Sequence, residues 1–396
     1  MVINKVKLSI FFGRACAVSL YVLFFYIPIS SALIETFFGF AWFFFLGRLL
    51  TTKGLIVQVL KREKVVSWLF IALALSIINS GSFLSISLNA LVFKWGKYII
   101  LYLMITQTLT SAPRIKYALA ALSLGAALVV MDCYSQLFFG LEFLRHRPMI
   151  LHSNYILALT GPFSHNNDLA VYLISVLIVI LYWVFSKQQF IMIKPAAVIV
   201  FCTGIFMLTH AYSRGGWIAF ILAIVLLAVL LREYWFLGIS LLMTIVLGFK
   251  INLIKFLVFK DSNRFELWDI AFRMIKKHPL IGNGIGTFMP WFRSYSSTEP
   301  ISYTHNCFLQ LWAESGIIAE VIFCFFILKT LNAGILSYKE NKDPVFLILS
   351  CAVIAFLFHS FVDTFFYSFQ TASIFWVIMG LLKGAMTSQE KKGMLI

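Results

Sequence analysis

Ala211-Tyr212-Ser213-Arg214-Gly215-Gly216-Trp217 lies between two apolar runs with almost no room for a loop, which requires a tight hairpin. Ser213 is positioned to cap the following helix, whose first N–H groups and dipole would face outward beside the Arg214 guanidinium, an arrangement suited to phosphate oxygens. The plainer reading is an arginine snorkelling at a helix end with glycines for the turn. A second segment runs from Asn263 to Pro279. Asn263 and Glu266 have capping-box spacing, and Pro279 stops the helix. Arg264, Trp268, Ala271 and Ile275 recur at helical spacing, so a cation sits at one end of an apolar stripe, and the helix is expected to be interfacial. A cation in the first turn opposes the dipole, so Arg264 costs local stability unless an anion neutralises it; the alternative is a surface helix with solvated charges. In the third segment, Tyr303 to Gly316, His305 stands at a water boundary, and Asn306, Gln310 and Glu314 form a polar stripe that should face the bundle interior. An imidazole there can take a proton from a hydroxyl near neutral pH; a capping or packing histidine is the alternative.

Other chemistries lack their usual signals. There is no D-x-D pair, H-E-x-x-H, G-x-S-x-G or P-loop, which removes the signatures of metal-dependent sugar transfer, zinc proteolysis, serine hydrolysis and ATP use. Gly282-Asn283-Gly284-Ile285-Gly286 has no strand-turn-helix context and reads as a flexible turn rather than a nucleotide loop. No cofactor or nucleic acid is implied. Phosphate chemistry therefore rests on arginine.

The elements holding these residues must be membrane helices. Of 396 residues 61% are hydrophobic and only 12% charged, which excludes a soluble globule. Apolar stretches of roughly spanning length lie near 11–29, 33–50, 65–81, 91–110, 115–138, 168–186, 195–212, 216–231, 234–250, 307–329, 345–362 and 371–386. The expected fold is all-α: one integral membrane domain over 1–396, about twelve transmembrane helices, and a long outer loop at 251–306 between the ninth and tenth. The first run follows Lys5, Lys7 and Arg14 without a small-residue cleavage pattern, so it reads as a retained span with a cytoplasmic start. Counting from there, the inner loops collect Lys53, Lys61, Arg62, Lys64, Arg114, Lys116, Lys187, Lys194, Arg232, Lys339 and Lys342, while the short outer loops near 30–32, 82–90 and 363–370 have no Lys or Arg. This count puts Arg214, Arg264 and His305 all outside. The net charge of +16 admits anionic partners, membrane lipids among them. The six cysteines show no C-x-x-C spacing and read as packing residues, and no internal repeat or matched pair of broken spans points to an inverted-repeat carrier.

Taken together, these segments resemble the O-antigen ligase and Wzy-type polymerase superfamily of membrane glycosyltransferases. Ser213 to Trp217 resembles its arginine hairpin, and Arg264 to Phe288 its outer-loop helix and turn. His305-Asn306, nine residues, then Gly316 resembles its H-N-x9-G motif, with Ala319 at the pattern's last position. Gly161-Pro162-Phe163-Ser164-His165-Asn166-Asn167 is similar to a looser element, so the resemblance spans about 160–320. It implies a periplasmic active site in a bacterial inner membrane, an undecaprenyl-diphosphate-linked glycan donor, a lipid A-core or glycan acceptor, and metal-independent, inverting transfer. Arg214 and Arg264 would face the diphosphate and His305 would be the general base, with Ser213, Asn306, His165 and Asn167 binding substrate. A polymerase of the same superfamily is the nearest alternative, and a ligase acting on protein shares the chemistry. A transporter is a more distant alternative, for which Glu314 and Glu320 are the only late-span carboxylates.

Overall fold

The computed structural model describes residues 2–153, 156–187, 192–250, 263–296 and 303–393. Each of the twelve apolar stretches coincides with a helix. In chain order these are α1 (Val2–Tyr26), α2 (Ser31–Thr51), the short α3 (Leu55–Arg62), α4 (Lys64–Ser76), α5 (Leu84–Ala90), a π-helical segment Leu91–Gly96 running into α6 (Lys97–Thr108), and α7 (Ala112–Phe139). Then follow α8 (Asn166–Phe185), α9 (Ile193–His210), α10 (Arg214–Leu231), α11 (Tyr234–Lys250), α12 (Asn263–Lys277), α13 (Phe288–Tyr295), α14 (Cys307–Asn341), α15 (Pro344–Ser360) and α16 (Phe369–Gly393). Among the described residues nine helices are long and apolar enough to cross a membrane, and Lys64–Asn79 and Pro344–Ser360 are shorter apolar helices. The chain is a multi-pass membrane protein.

Two helices form the axis of the bundle. α8 and α16 are buried along most of their length, whereas α2 keeps an outward apolar face that includes Phe40 and Phe43. An apolar perimeter suits lipid tails, and the packed interior is closed by an aromatic cluster around Trp95, Phe323, Phe366 and Trp376. α15 packs against α8, α10 and α16, so its C-terminal end reaches the ends of several other helices.

The connections at that end depart from the sequence-based expectations in three ways. The fold is not purely helical: between α7 and α8, β1 (Ile150–Ser153) pairs antiparallel with β2 (Ile156–Ala158). The physical reason is the polar end of α7. Asp132 accepts the Phe143 and Leu144 N–H groups at 2.9 and 3.1 Å, and Gln136 holds the Thr160 and Gly161 N–H groups at 3.0 and 2.9 Å. These bonds draw both ends of the connection together and leave a short β-compatible run to pair with itself. Second, α12 covers its stripe with protein. Ala271 and Ile275 are buried in a small separate core with Phe288, Phe292, Leu309 and Ala313. Residues 251–262 and 297–302 of the expected long loop, and the side chain of Asn263, lie outside the described residues.

Third, the Gly282–Gly286 turn is docked rather than flexible. α14 breaks at Gly316 (φ 75°, ψ 171°), and the chain around Leu280 fills the break: Ile317 N–H donates to Pro279 at 3.0 Å and Gly284 N–H to the Glu314 carbonyl at 2.8 Å. A Cβ on Gly316 would lie 2.2 Å from the Leu280 oxygen. The buried Glu314 carboxylate accepts the Gly286 N–H at 2.7 Å, the Phe288 N–H at 3.0 Å and Gln310 Nε2 at 3.2 Å, and also the Tyr367 hydroxyl. The expected polar stripe does face inward, with Gln310 and Glu314 as a clamp on the Gly282–Gly286 turn. Gly316→Ala places a side chain at positive φ against backbone and should destabilise the protein by more than about 1 kcal/mol. The melting temperature of the purified protein should fall, while Gly238→Ala, inside α11 with open space around its Cβ, should not lower it.

Candidate active site

The Arg214 hairpin is built by a cap and two glycines. Tyr212 turns the chain at φ 50°, and Ser213 is the N-cap of α10, accepting the Gly216 N–H at 3.3 Å as its spacing predicted. Arg214 is therefore the first residue of α10, half-buried. Gly215 is required by close approach, because a Cβ there would lie 2.3 Å from Val362 Cγ2 and 2.9 Å from His359 Cδ2. The hairpin is thereby pressed against the end of α15, where the Ser213 hydroxyl and His359 Nε2 are hydrogen-bonded at 3.1 Å. His359 is buried.

His305 is held out of regular structure immediately before α14. Its φ of 51° costs roughly 1–2 kcal/mol for a residue with a Cβ. A clamp sustains it: Thr304 donates its N–H to Gln310 Oε1 at 3.3 Å and its hydroxyl to the Asn306 carbonyl at 2.7 Å. Asn306 Oδ1 then caps α14, accepting the Phe308 and Leu309 N–H groups at 3.1 and 3.0 Å. The imidazole so presented meets Asp363, with Nδ1 2.9 Å from Oδ1.

Asp363 is fixed from three sides. Its Oδ1 also accepts the Thr364 N–H at 2.8 Å, and its Oδ2 accepts the Asn167 side-chain amide. Burial pushes this carboxyl up, but the His305 hydrogen bond, the neighbouring His305 and His359 imidazoles and the Thr364 N–H outweigh it, holding Asp363 below the usual carboxylate value. Asp363 is therefore an ionised acceptor for Nδ1–H, which fixes the tautomer with the lone pair on Nε2. An imidazole in that state can take a proton from a hydroxyl, and the carboxylate stabilises the imidazolium that results.

Arg264 arrives on α12. One turn along that helix, Trp268 donates its indole N–H to the Thr304 carbonyl at 2.9 Å, pinning α12 to the residue before His305. Tyr303 stacks on Tyr367 with ring centroids 4.9 Å apart, which ties the same segment to the 361–368 loop. The half-buried Arg264 guanidinium lies within electrostatic range of His359, as does Asp363. Among the described residues no group of three or more His, Cys, Asp or Glu side chains is arranged to hold a metal ion. Arg214 and Arg264 bring fixed positive charge to this end.

Ser213, Arg214, Arg264, His305 and Asn167 are thus gathered around the turn from His359 to Asp363. Two expected binding residues stand differently. The Asn306 oxygen is committed to its helix cap, and His165 is exposed at the start of α8 and makes no side-chain hydrogen bond or ion pair with the described residues. Its neighbour Asn166 is the structural member of that segment, donating to the Ala211 carbonyl at 2.7 Å. Spacing arguments missed His359 and Asp363. Their signal was a histidine and an aspartate four residues apart at the end of an apolar run, at the edge of a loop, 363–370, without Lys or Arg.

Residues 197–324 match the model of a family described as O-antigen ligase. That stretch contains Arg214, Arg264, His305 and Gly316, in agreement with the resemblance drawn from the motifs. A ComP-specific O-oligosaccharyltransferase of Acinetobacter baylyi is 29% identical over 141 residues, covering 33% of this chain and 24% of that protein. The match therefore spans about a quarter of the relative's length. Asn167, His359 and Asp363 fall outside the stretch matched by the family model and join the site only through the fold.

Proposed function

We propose that this protein is a ligase-like membrane glycosyltransferase that moves a glycan from undecaprenyl diphosphate to lipid A-core on the periplasmic face of a bacterial inner membrane. The observation that carries this reading is the His305–Asp363 pair, held at 2.9 Å beside the arginine hairpin. His305 Nε2 takes the proton of the acceptor hydroxyl as the acceptor oxygen bonds to the anomeric carbon. The bond from that carbon to the diphosphate oxygen breaks on the opposite side, so the configuration inverts. Negative charge then grows on the leaving diphosphate, and Arg214 and Arg264 neutralise it with forked guanidinium donors that need no divalent ion. Asn167 steadies Asp363, and Ser213 holds the first turn of α10 in place. The family match and the relative's name support a glycan-transferring enzyme of this kind.

A second reading is favoured by that relative, whose name makes it an oligosaccharyltransferase specific for ComP. The same donor chemistry would serve a protein hydroxyl as acceptor. Deleting the gene separates the cases. Lipid A-core without glycan, together with accumulated lipid-linked polymer, is the expected result; loss of glycan from a protein alone would favour the second reading. Core bearing a single repeat would identify a polymerase and overturn the assignment.

A further inference from the structure

A cavity of about 390 Å³ opens on α5 and the π-helical segment, and neither His305 nor Asp363 lines it. Its polar lining is Ser85, Asn89 and Lys94, with Gly286 of the docked turn forming one wall. Ser85 and Asn89 are one helical turn apart and share a face of α5. Lys94 stands on the π-helical turn, a winding frequent at functional sites, and its ammonium lies 5.6 Å from the centre of the Tyr367 ring.

The charge balance of this region is uneven. Three residues on, Lys97 is paired with Glu35, whereas the half-buried Lys94 has no carboxylate partner among the described residues. The Glu314 carboxylate makes no ion pair with Lys94: its oxygens accept the Gly286 and Phe288 N–H groups, Gln310 Nε2 and the Tyr367 hydroxyl. Val92 and Phe93 beside Lys94 are exposed, apolar and suited to lipid, a setting in which a partly buried cation without a counter-charge is costly. A cation, an amide and a hydroxyl around one cavity form a receptor for an anion. The volume exceeds that of a phosphate alone and accommodates an attached polyol.

We propose that this cavity binds an anionic headgroup, a phosphate or carboxylate carried on a glycerol or sugar, at the membrane boundary. The site stands independently of the transfer reaction. The test uses full-length protein in phosphatidylcholine nanodiscs, titrated in one arm with phosphatidylglycerol and in the other with soluble glycerol 3-phosphate. Binding is read by native mass spectrometry for the lipid and by calorimetry for the soluble probe. Lys94→Gln is expected to weaken binding about tenfold or more. Asn89→Asp, which puts a carboxylate into the cavity, should do the same, and Lys339→Gln at the far end of α14 should leave affinity within twofold. Binding of the lipid alone identifies a lipid headgroup as the occupant, and binding of both probes a group reached from water. Absence of binding by either probe, or affinity unchanged in both cavity variants, overturns the proposal.

Discussion

His305→Ala is expected to slow glycan transfer by roughly 10²–10⁴-fold in single-turnover measurements, the usual contribution of a positioned general base. Donor binding should be retained, because the diphosphate contacts are assigned to the arginines. Asp363→Asn should produce a loss of similar order: an amide cannot stabilise the imidazolium, and it presents the wrong hydrogen-bonding partner to Nδ1. The two residues act as one unit through the 2.9 Å bond, so adding Asp363→Asn to His305→Ala should cost little more than either change alone. Losses that simply multiply would mean that Asp363 acts elsewhere. Unchanged turnover in His305→Ala would remove the base.

The second large effect is expected at the arginines. Losing one fixed donor to developing charge costs about 3 kcal/mol of barrier, roughly a hundredfold in rate. Arg214→Ala and Arg264→Ala should each therefore reduce transfer to near background, with insertion and melting temperature preserved. Lysine at either position keeps the charge but not the planar fork, and should recover only part of the rate. Arg214 is the more exacting position, since the Gly215 backbone leaves no slack against Val362 and His359. Near-normal glycan attachment in either alanine variant would exclude it from diphosphate stabilisation.

The division between what could be read from the chain and what could not follows sequence distance. The Ser213 cap, the end of α12 before Pro279 and the inward Gln310–Glu314 stripe are local: each follows from residues within a few turns of one another. The order of Arg214, Arg264 and His305 was legible for the same reason, because each motif is continuous. The bracket that assembles them was not. Asp363 meets His305 across 58 positions and Asn167 across 196, and no periodicity encodes such pairings. The Gly282–Gly286 turn looked flexible because glycine permits mobility and close packing equally; only the break at Gly316 shows which applies. The hairpin between α7 and α8 was hidden similarly, since its cause is a pair of buried polar side chains, Asp132 and Gln136, reaching back from a helix.

Purified protein reconstituted in vesicles with an undecaprenyl-diphosphate-linked glycan, lipid A-core and a strong chelator provides the most direct measurement. Linked product, one undecaprenyl diphosphate released per glycan transferred, and an inverted anomeric linkage are predicted, with Arg214→Ala, Arg264→Ala and His305→Ala each slowed by roughly a hundredfold or more. Transfer that stops when divalent ions are removed, or that survives loss of the arginines, would contradict the assignment of leaving-group stabilisation to guanidinium groups.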